Sequence, residues 1–277
     1  MHNLTRRTRK FIWYVMYPFL RRIKDLENLH SGEECYIFGD GSSVKQFELS
    51  AFADRISIAV GLVPRHIESK HLNLRYWIVA EPGLFLPPLI GLQKTKIKKF
   101  KNRKKYQSLY RTVTLNKSSI IRITSVANLF GEWFAGTYFF WDKLPRRNCH
   151  DDHPNTDDMF ADSICSALTL AQYLGFRKVF LIGFDYTHNP PMAKHWYESV
   201  PSEVSNEVPT TWHLEFFNAM RKHIEIVTVT STPQSTGLSS IDYQTLTGQA
   251  LRHRENSELL SREDLETLAQ FKGYKIF

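Results

Sequence analysis

Four groups of residues in this sequence have types and spacing suited to chemistry. The first is Gly39-Asp40-Gly41-Ser42-Ser43, which follows the apolar run Cys35-Tyr36-Ile37-Phe38. Two glycines separated by one residue let the backbone bend sharply and approach a bound group. A strand, such a turn and a helix start make the phosphate- or nucleotide-cradling unit of α/β proteins, here completed by the Ser42 and Ser43 hydroxyls. The second is Glu81, at the end of Arg75-Tyr76-Trp77-Ile78-Val79-Ala80. The third is Asp185 with Tyr186, just past Val179-Phe180-Leu181-Ile182-Gly183. Charged groups at the C-terminal ends of buried strands are typical site residues in open α/β sheets. The fourth is His195-Trp196-Tyr197, inside the long polar loop 187–211. Loops of that length in compact domains are commonly functional.

These groups need strands and helices to hold them. Apolar runs predict strands at 35–38, 55–60, 75–80, 118–124, 179–183 and 224–230. Val44, Phe47 and Phe52 fall at roughly helical spacing after the glycine turn. Met159 to Leu174 reads as a helix stopped by Gly175, and Trp212 to His223 as another. Ser257 to Phe271 reads as an amphipathic helix with Ser261 as a plausible cap. The aromatic-rich segment 128–144 fits either core or an acceptor-binding lid. Alternating helices and strands predict an α/β fold: an open, mostly parallel Rossmann-like sheet with helices on both faces. The expected organisation is a basic amphipathic segment at 1–30, a nucleotide-sugar-binding domain at 31–245 and a helical tail at 246–277. An NAD-binding unit is disfavoured. Val44 stands in place of the third glycine, and no acidic residue lies about 20 positions after the first.

Composition narrows the partners. The 277 residues are 42% hydrophobic and 23% charged, which fits a globular chain with a sizeable core. A net charge of +8 favours anionic partners such as nucleotides, acidic glycans or phospholipid headgroups. The lysine-rich run 94–105 lacks interleaved stacking aromatics, so nucleic acid is not expected. No apolar run reaches the ~18–20 residues that span a bilayer. Residues 6–24 bracket an aromatic stretch with arginines and lysines, which suits either the surface of an anionic inner leaflet or docking on the protein itself. Three cysteines with no CxxC pair predict a reduced, cytoplasmic protein. The His/Asp cluster from Cys149 to Asp158 matches no known metal loop, and no metal site is expected.

The order of these motifs resembles bacterial sialyltransferases of glycosyltransferase family 42. Their "GNGPSL" turn is similar to Gly39-Asp40-Gly41-Ser42-Ser43-Val44, and their strand-end "NPS" to Glu81-Pro82-Gly83. Their "ALGY" helix end and "SGIDFY" strand end are similar to Tyr173-Leu174-Gly175-Phe176 and Ile182-Gly183-Phe184-Asp185-Tyr186. MptE-like proteins share the strand end, followed by a loop with "HF" or "HW" like His195-Trp196. The resemblance covers roughly residues 34–240 and implies a GT-A-like sialyltransferase variant. Departures are clear. Glu81 replaces a donor-contacting asparagine, Gly61 a second asparagine, and Ala161-Asp162-Ser163 a Thr-Ser-Gly that helps hold the nucleotide. The family's "GHS" histidine has no counterpart, so the base falls to His195 or else His213.

The resemblance implies an inverting, metal-independent transfer of an acidic sugar, sialic acid- or Kdo-like, from a CMP-sugar. The acceptor would be a glycan or lipid-linked glycan in surface polysaccharide or lipopolysaccharide synthesis. Histidine, with a reference pKa of ~6.5, suits the base. His195, Glu81 and Asp185 are the catalytic candidates. Gly39, Asp40, Gly41, Ser42, Ser43, Asp162, Ser163, Tyr186 and Tyr197 are the nucleotide- and substrate-binding ones. No resident cofactor is implied, and the chain would sit in the cytoplasm, peripheral on the inner membrane face if residues 6–24 dock there rather than on the protein itself. Two other readings remain. One is an MptE-like pterin diphosphokinase using ATP and Mg²⁺ held by Asp157/Asp158 or Glu81/Asp185. The other is a non-catalytic membrane-associated binding module.

Overall fold

A computed structural model describes residues 14–79, 107–110, 120–125, 128, 136–140, 162–188, 190–201, 203–204, 211–231, 237–271 and 273–277. Glu81, the lysine run 94–105, the Cys149–Asp158 cluster and the side chain of His213 lie outside them, as do most of the 128–144 aromatics.

Among the described residues, eight strands form one parallel sheet. They are β1 (Glu34–Phe38), β2 (Ile56–Val60), β3 (Asn73–Val79), β4 (Ile121–Ser125), β5 (Thr137–Phe140), β6 (Lys178–Ile182), β9 (Glu225–Thr230) and β10 (Ser239–Asp242). Two more, β7 (Met192–Ala193) and β8 (Glu203–Val204), pair as a small hairpin. The sheet order is β10-β9-β6-β1-β2-β3-β4-β5. The chain builds outward from β1 in one direction to β5, then returns to β6 and builds the other way. Among the described residues, 14–20 form helix α1 and 107–110 are also helical; the later helices are labelled α2 (Ser163–Tyr173), α3 (Thr211–Met220), α4 (Tyr243–Thr247), α5 (Asn256–Leu259) and α6 (Arg262–Leu268).

Both faces of the sheet are buried, which is why the strands read as continuous apolar runs. Alternation still sorts the side chains. Tyr36 and Phe38 of β1, with Phe180 and Ile182 of β6, face one cluster; Cys35, Ile37, Val179 and Leu181 face the other. The second cluster is covered by Ile164, Leu168 and Ala171 of α2, and by Phe216 and Phe217 of α3. Ile23 and Leu26 of the 3-10 turn Arg21–Leu26 complete that cover. Part of the basic lead-in is therefore docked on the protein's own core, while Tyr14 and Val15 remain exposed.

Several elements differ from the sequence expectation. The segment after the glycine turn is two 3-10 turns, Ser42–Gln46 and Leu49–Phe52, rather than a helix. The carbonyls of Lys45 and Gln46 accept from the N–H groups of Arg254 and Arg252, and the Phe47 carbonyl from the Arg254 guanidinium. Those carbonyls are thus taken from an α-helical ladder. The tail helix is broken at Leu260, which is extended (φ −135°, ψ 148°) and buried. Ser261 then caps α6 by accepting from Asp264 N–H. The tail packs onto the core. Leu259, Leu260, Leu265, Leu268 and Ile276 sit in the same cluster as Phe38 and Phe47. The strands β5 and β10, hidden in an aromatic segment and after a polar turn, were not legible as strands.

Candidate functional site

β1 and β6 are hydrogen-bonded neighbours whose connections leave in opposite directions. Their C-terminal ends therefore border the crevice where open α/β sheets bind ligands. Gly39–Ser43 and Gly183–Tyr186 meet there.

The two turns are locked together by close contact. Gly39 N–H donates to the Ile182 carbonyl and Gly41 N–H to the Gly183 carbonyl, each at 2.7 Å. A Cβ on Gly39 would lie 2.6 Å from the Gly183 oxygen, and one on Gly41 2.5 Å from the Asp185 carboxylate. Gly183 itself has φ +72°, the left-handed region that favours glycine. The glycines thus let one backbone turn sit directly on another.

Asp185 occupies the hollow. The residue is 3% exposed. Its carboxylate accepts from Ser43 N–H at 2.7 Å, from the Ser42 hydroxyl at 2.9 Å and from the Ser43 hydroxyl. The donors expected to cradle a phosphate hold this internal anion instead. A similar arrangement stands at the start of α2. Asp162 is its N-cap, accepting from Cys165 N–H at 2.9 Å, while Ser163 is exposed. A carboxylate at a helix N-terminus satisfies donors that an external anion would use.

Asp40 ties two loops together at the crevice. Its carboxylate accepts from Leu62 N–H at 3.0 Å and from the Trp196 indole N–H at 3.2 Å. Burial raises its pKa above the usual range, opposed by the charge of His195 and by those hydrogen bonds. Gly61, at φ +56°, is required beside it, because a Cβ there would lie 1.7 Å from Asp40 Oδ2. The Asp40 carbonyl accepts from Trp196 N–H at 3.0 Å, and Gly41 pairs with His195 as an antiparallel bridge. A loop more than 150 positions downstream is therefore zipped onto the glycine turn.

That zipper delivers His195. Its side chain is 42% exposed, whereas the carboxylate beside it, Glu198, is 2% exposed. Glu198 Oε1 accepts from both His195 Nδ1, at 2.8 Å, and His195 N–H, at 3.0 Å. Glu198 Oε2 accepts from Lys275 N–H at 3.2 Å. Burial alone would raise the pKa of Glu198, but the bonds from His195 and Lys275 outweigh it and hold it below the usual range. The carboxylate only accepts, so Nδ1 carries the proton and Nε2 keeps the lone pair. The imidazole stacks on Tyr197, with ring centroids 4.9 Å apart, and meets the edge of Tyr274 at 5.5 Å. The Lys45 ammonium, nearly buried, donates to the Glu198 carbonyl.

The crevice thus brings together Gly39, Asp40, Gly41, Ser42, Ser43, Asp185 and His195. Tyr197 is buried behind His195, and its hydroxyl is held well above the usual phenol range by burial. Tyr186 is partly exposed as a residue, but its hydroxyl is buried deeply enough for the same effect, with Asp162 adding to it. His188, the other histidine near Asp185, is 7% exposed and lies 4.0 Å from that carboxylate. Burial lowers its pKa, with Asp185 opposing. Sequence reasoning gave no role to Glu198, which lies in the same 187–211 loop, and did not single out Lys45, Tyr274 or Lys275. The His195-x-x-Glu198 spacing was a usable signal for the first; nothing local pointed to the others.

No family model matches the sequence, and no curated protein matches it. Solved structures that resemble the chain include two of one sialyltransferase. The sialyltransferase CstII from Campylobacter jejuni, in complex with a CMP substrate analogue, aligns over 87% of this chain and 98% of that one. The TM-score is 0.39 at 11% identity. The sialyltransferase CST-II with trisaccharide acceptor and CMP aligns over 86% of this chain and 99% of that one, with a TM-score of 0.42 at 12% identity. Similarity at this level establishes no shared activity, and the doubly wound parallel fold stands on the sheet order itself.

Proposed function

We propose that the chain is a CMP-sugar-dependent glycosyltransferase with His195 as the general base. The observation that supports it most directly is the half-exposed His195 imidazole at the switch point, with Nδ1 held by a buried carboxylate and Nε2 left as acceptor. An acceptor hydroxyl gives its proton to Nε2, and its oxygen forms a bond to the anomeric carbon. The bond from that carbon to the phosphate oxygen breaks, and CMP leaves with the electron pair. Attack from the face opposite the leaving group inverts the anomeric centre. The motif order of the sequence supports CMP as the nucleotide and an acidic sugar as cargo. A surface polysaccharide or lipopolysaccharide acceptor is the finer part of the proposal.

The glycine turn enters this reading with a condition. Ser42, Ser43 and the Ser43 N–H reach a donor phosphate only by releasing Asp185. Glu81, outside the described residues, remains a candidate either to orient the histidine or to hold the sugar. Inner-leaflet contact through residues 6–24 and 94–105 also belongs to the proposal. No described helix is long and apolar enough to cross a membrane.

The test is a nucleotide screen by thermal shift, followed by turnover of CMP-sugars. CMP without Mg²⁺ should raise the melting temperature through mass action. His195→Ala should lower transfer by about 10²–10⁴-fold with CMP binding retained. Stabilisation by ATP with Mg²⁺ and none by CMP would defeat the proposal.

A further inference from the structure

We propose that Glu198 is a positioning residue for His195, and that Tyr274, Lys275 and Ile276 form the brace that fixes it. The inference rests on the reading of His195 as a base. It concerns a contact between Glu198 and a segment 77 positions downstream, which lies outside the glycine turn and the strand ends.

The geometry is specific. One oxygen of Glu198 holds the His195 backbone and Nδ1 together, so it sets both the loop conformation and the tautomer. The other oxygen is held by Lys275 N–H, so the carboxylate cannot swing away while the C-terminus is docked. The docking is itself cross-tied. Ser199 N–H donates to the Lys275 carbonyl at 2.8 Å, and the Asn256 amide donates to the Tyr197 and Ile276 carbonyls, each at 3.0 Å. Ile276 is buried in the core cluster beside this point, and Tyr274 packs its ring on both His195 and Tyr197. A buried carboxylate on Nδ1 stabilises the imidazolium that forms when Nε2 takes a proton. The last residues therefore act on the base through Glu198, without touching substrate.

The experiment is ¹⁵N NMR of the histidine ring nitrogens in the full chain at about pH 8, where neutral tautomers dominate. The comparison uses Glu198→Gln, Glu198→Ala and a chain ending at Tyr274, with melting curves to verify folding. The expected result is an Nδ1-protonated His195 in the full chain. That signature should disappear in Glu198→Ala and in the shortened chain. With a CMP-sugar, kcat should fall about 10²-fold or more in Glu198→Ala while KM changes little, and Glu198→Gln should recover part of it. An Nε2-protonated His195 in the full chain overturns the inference. So does a folded Glu198→Ala protein with an unchanged signature and kcat. If Glu198→Ala does not fold, the Glu198→Gln protein and the full chain still decide through the tautomer and kcat. A correct tautomer in a chain that turns over no CMP-sugar refutes the glycosyltransferase reading and leaves the geometry of the brace standing.

Discussion

Replacing Asp185 tests whether the glycine turn is held by its own internal anion. Asp185→Ala removes a 3%-exposed carboxylate and leaves Ser43 N–H and two serine hydroxyls facing a small void. A hydrogen bond to a charged group contributes about 1.5–3 kcal/mol, and a buried donor left unmatched costs about 1–3 kcal/mol. Three such bonds to one group do not add. The desolvation that Asp185 suffers on burial is also relieved when it is removed. The expected net loss is roughly 3–5 kcal/mol, at the large end for a single substitution. Asp185→Asn keeps one acceptor oxygen and should lose roughly 1–2 kcal/mol, because its amide hydrogens oppose one of the donors. The assay is urea unfolding at equilibrium, with the m-value checked for constancy. A loss below about 1 kcal/mol for Asp185→Ala would refute the reasoning, since it would mean that water satisfies those donors. The Asn variant has a second use. If the turn does receive the donor phosphate, releasing it from the native carboxylate should strengthen CMP binding. Weaker CMP binding would instead make Asp185 a support for the nucleotide site.

Three further outcomes are expected. Gly61→Ala should lose about 3 kcal/mol or more in urea unfolding, because its Cβ would displace Asp40 from Leu62 and Trp196 at a left-handed φ. Asp162→Ala should lose about 0.5–2 kcal/mol as a missing helix cap, with CMP affinity unchanged or improved; a marked fall in CMP affinity would give Asp162 a direct binding role. His66, 2% exposed, is lowered to about 3, first by burial and then by the nearby Arg254 charge. It stays neutral in the folded chain while the unfolded chain protonates near pH 6.5, so its contribution is complete above about 6.5 and drains as pH falls toward 3. The total is about 5 kcal/mol. Melting temperature against pH for the wild type and His66→Gln should differ most in steepness between those limits.

Glu198 titrates with the same sign. Its lowered pKa means that the bonds to His195 and Lys275 persist through neutral and mildly acidic pH and are lost as pH falls through the folded-state value. The His195 loop is thus expected to detach from the C-terminus in acid, before or together with global unfolding.

The amino-acid sequence by itself determined the local units. The runs at 35–38 and 179–182 could be read as buried strands because each is apolar on both faces of a covered sheet, and 225–230 because its side chains alternate with period two. Helix α2 was legible because Gly175, at φ +89°, supplies a stop that few other residues could. The pairing of the glycine turn with the Gly183–Asp185 strand end was also foreseeable, because parallel α/β connections leave few topologies. What the donors in that turn hold was not foreseeable. Whether Ser43 N–H faces a phosphate or a carboxylate depends on where Asp185, 142 positions away, comes to rest. The same holds for Gly61, which looked like a missing asparagine and proves to be the space that Asp40 needs. His195 could be named from its loop, but its tautomer could not. That is fixed by Glu198, whose other oxygen is fixed by the backbone of Lys275. Local propensity acts over a turn or two of chain, whereas hydrogen-bond partnership is assigned only when distant segments are packed together. Apart from the three-residue spacing of His195 and Glu198, the site's chemistry therefore resided in tertiary contacts that local spacing does not encode.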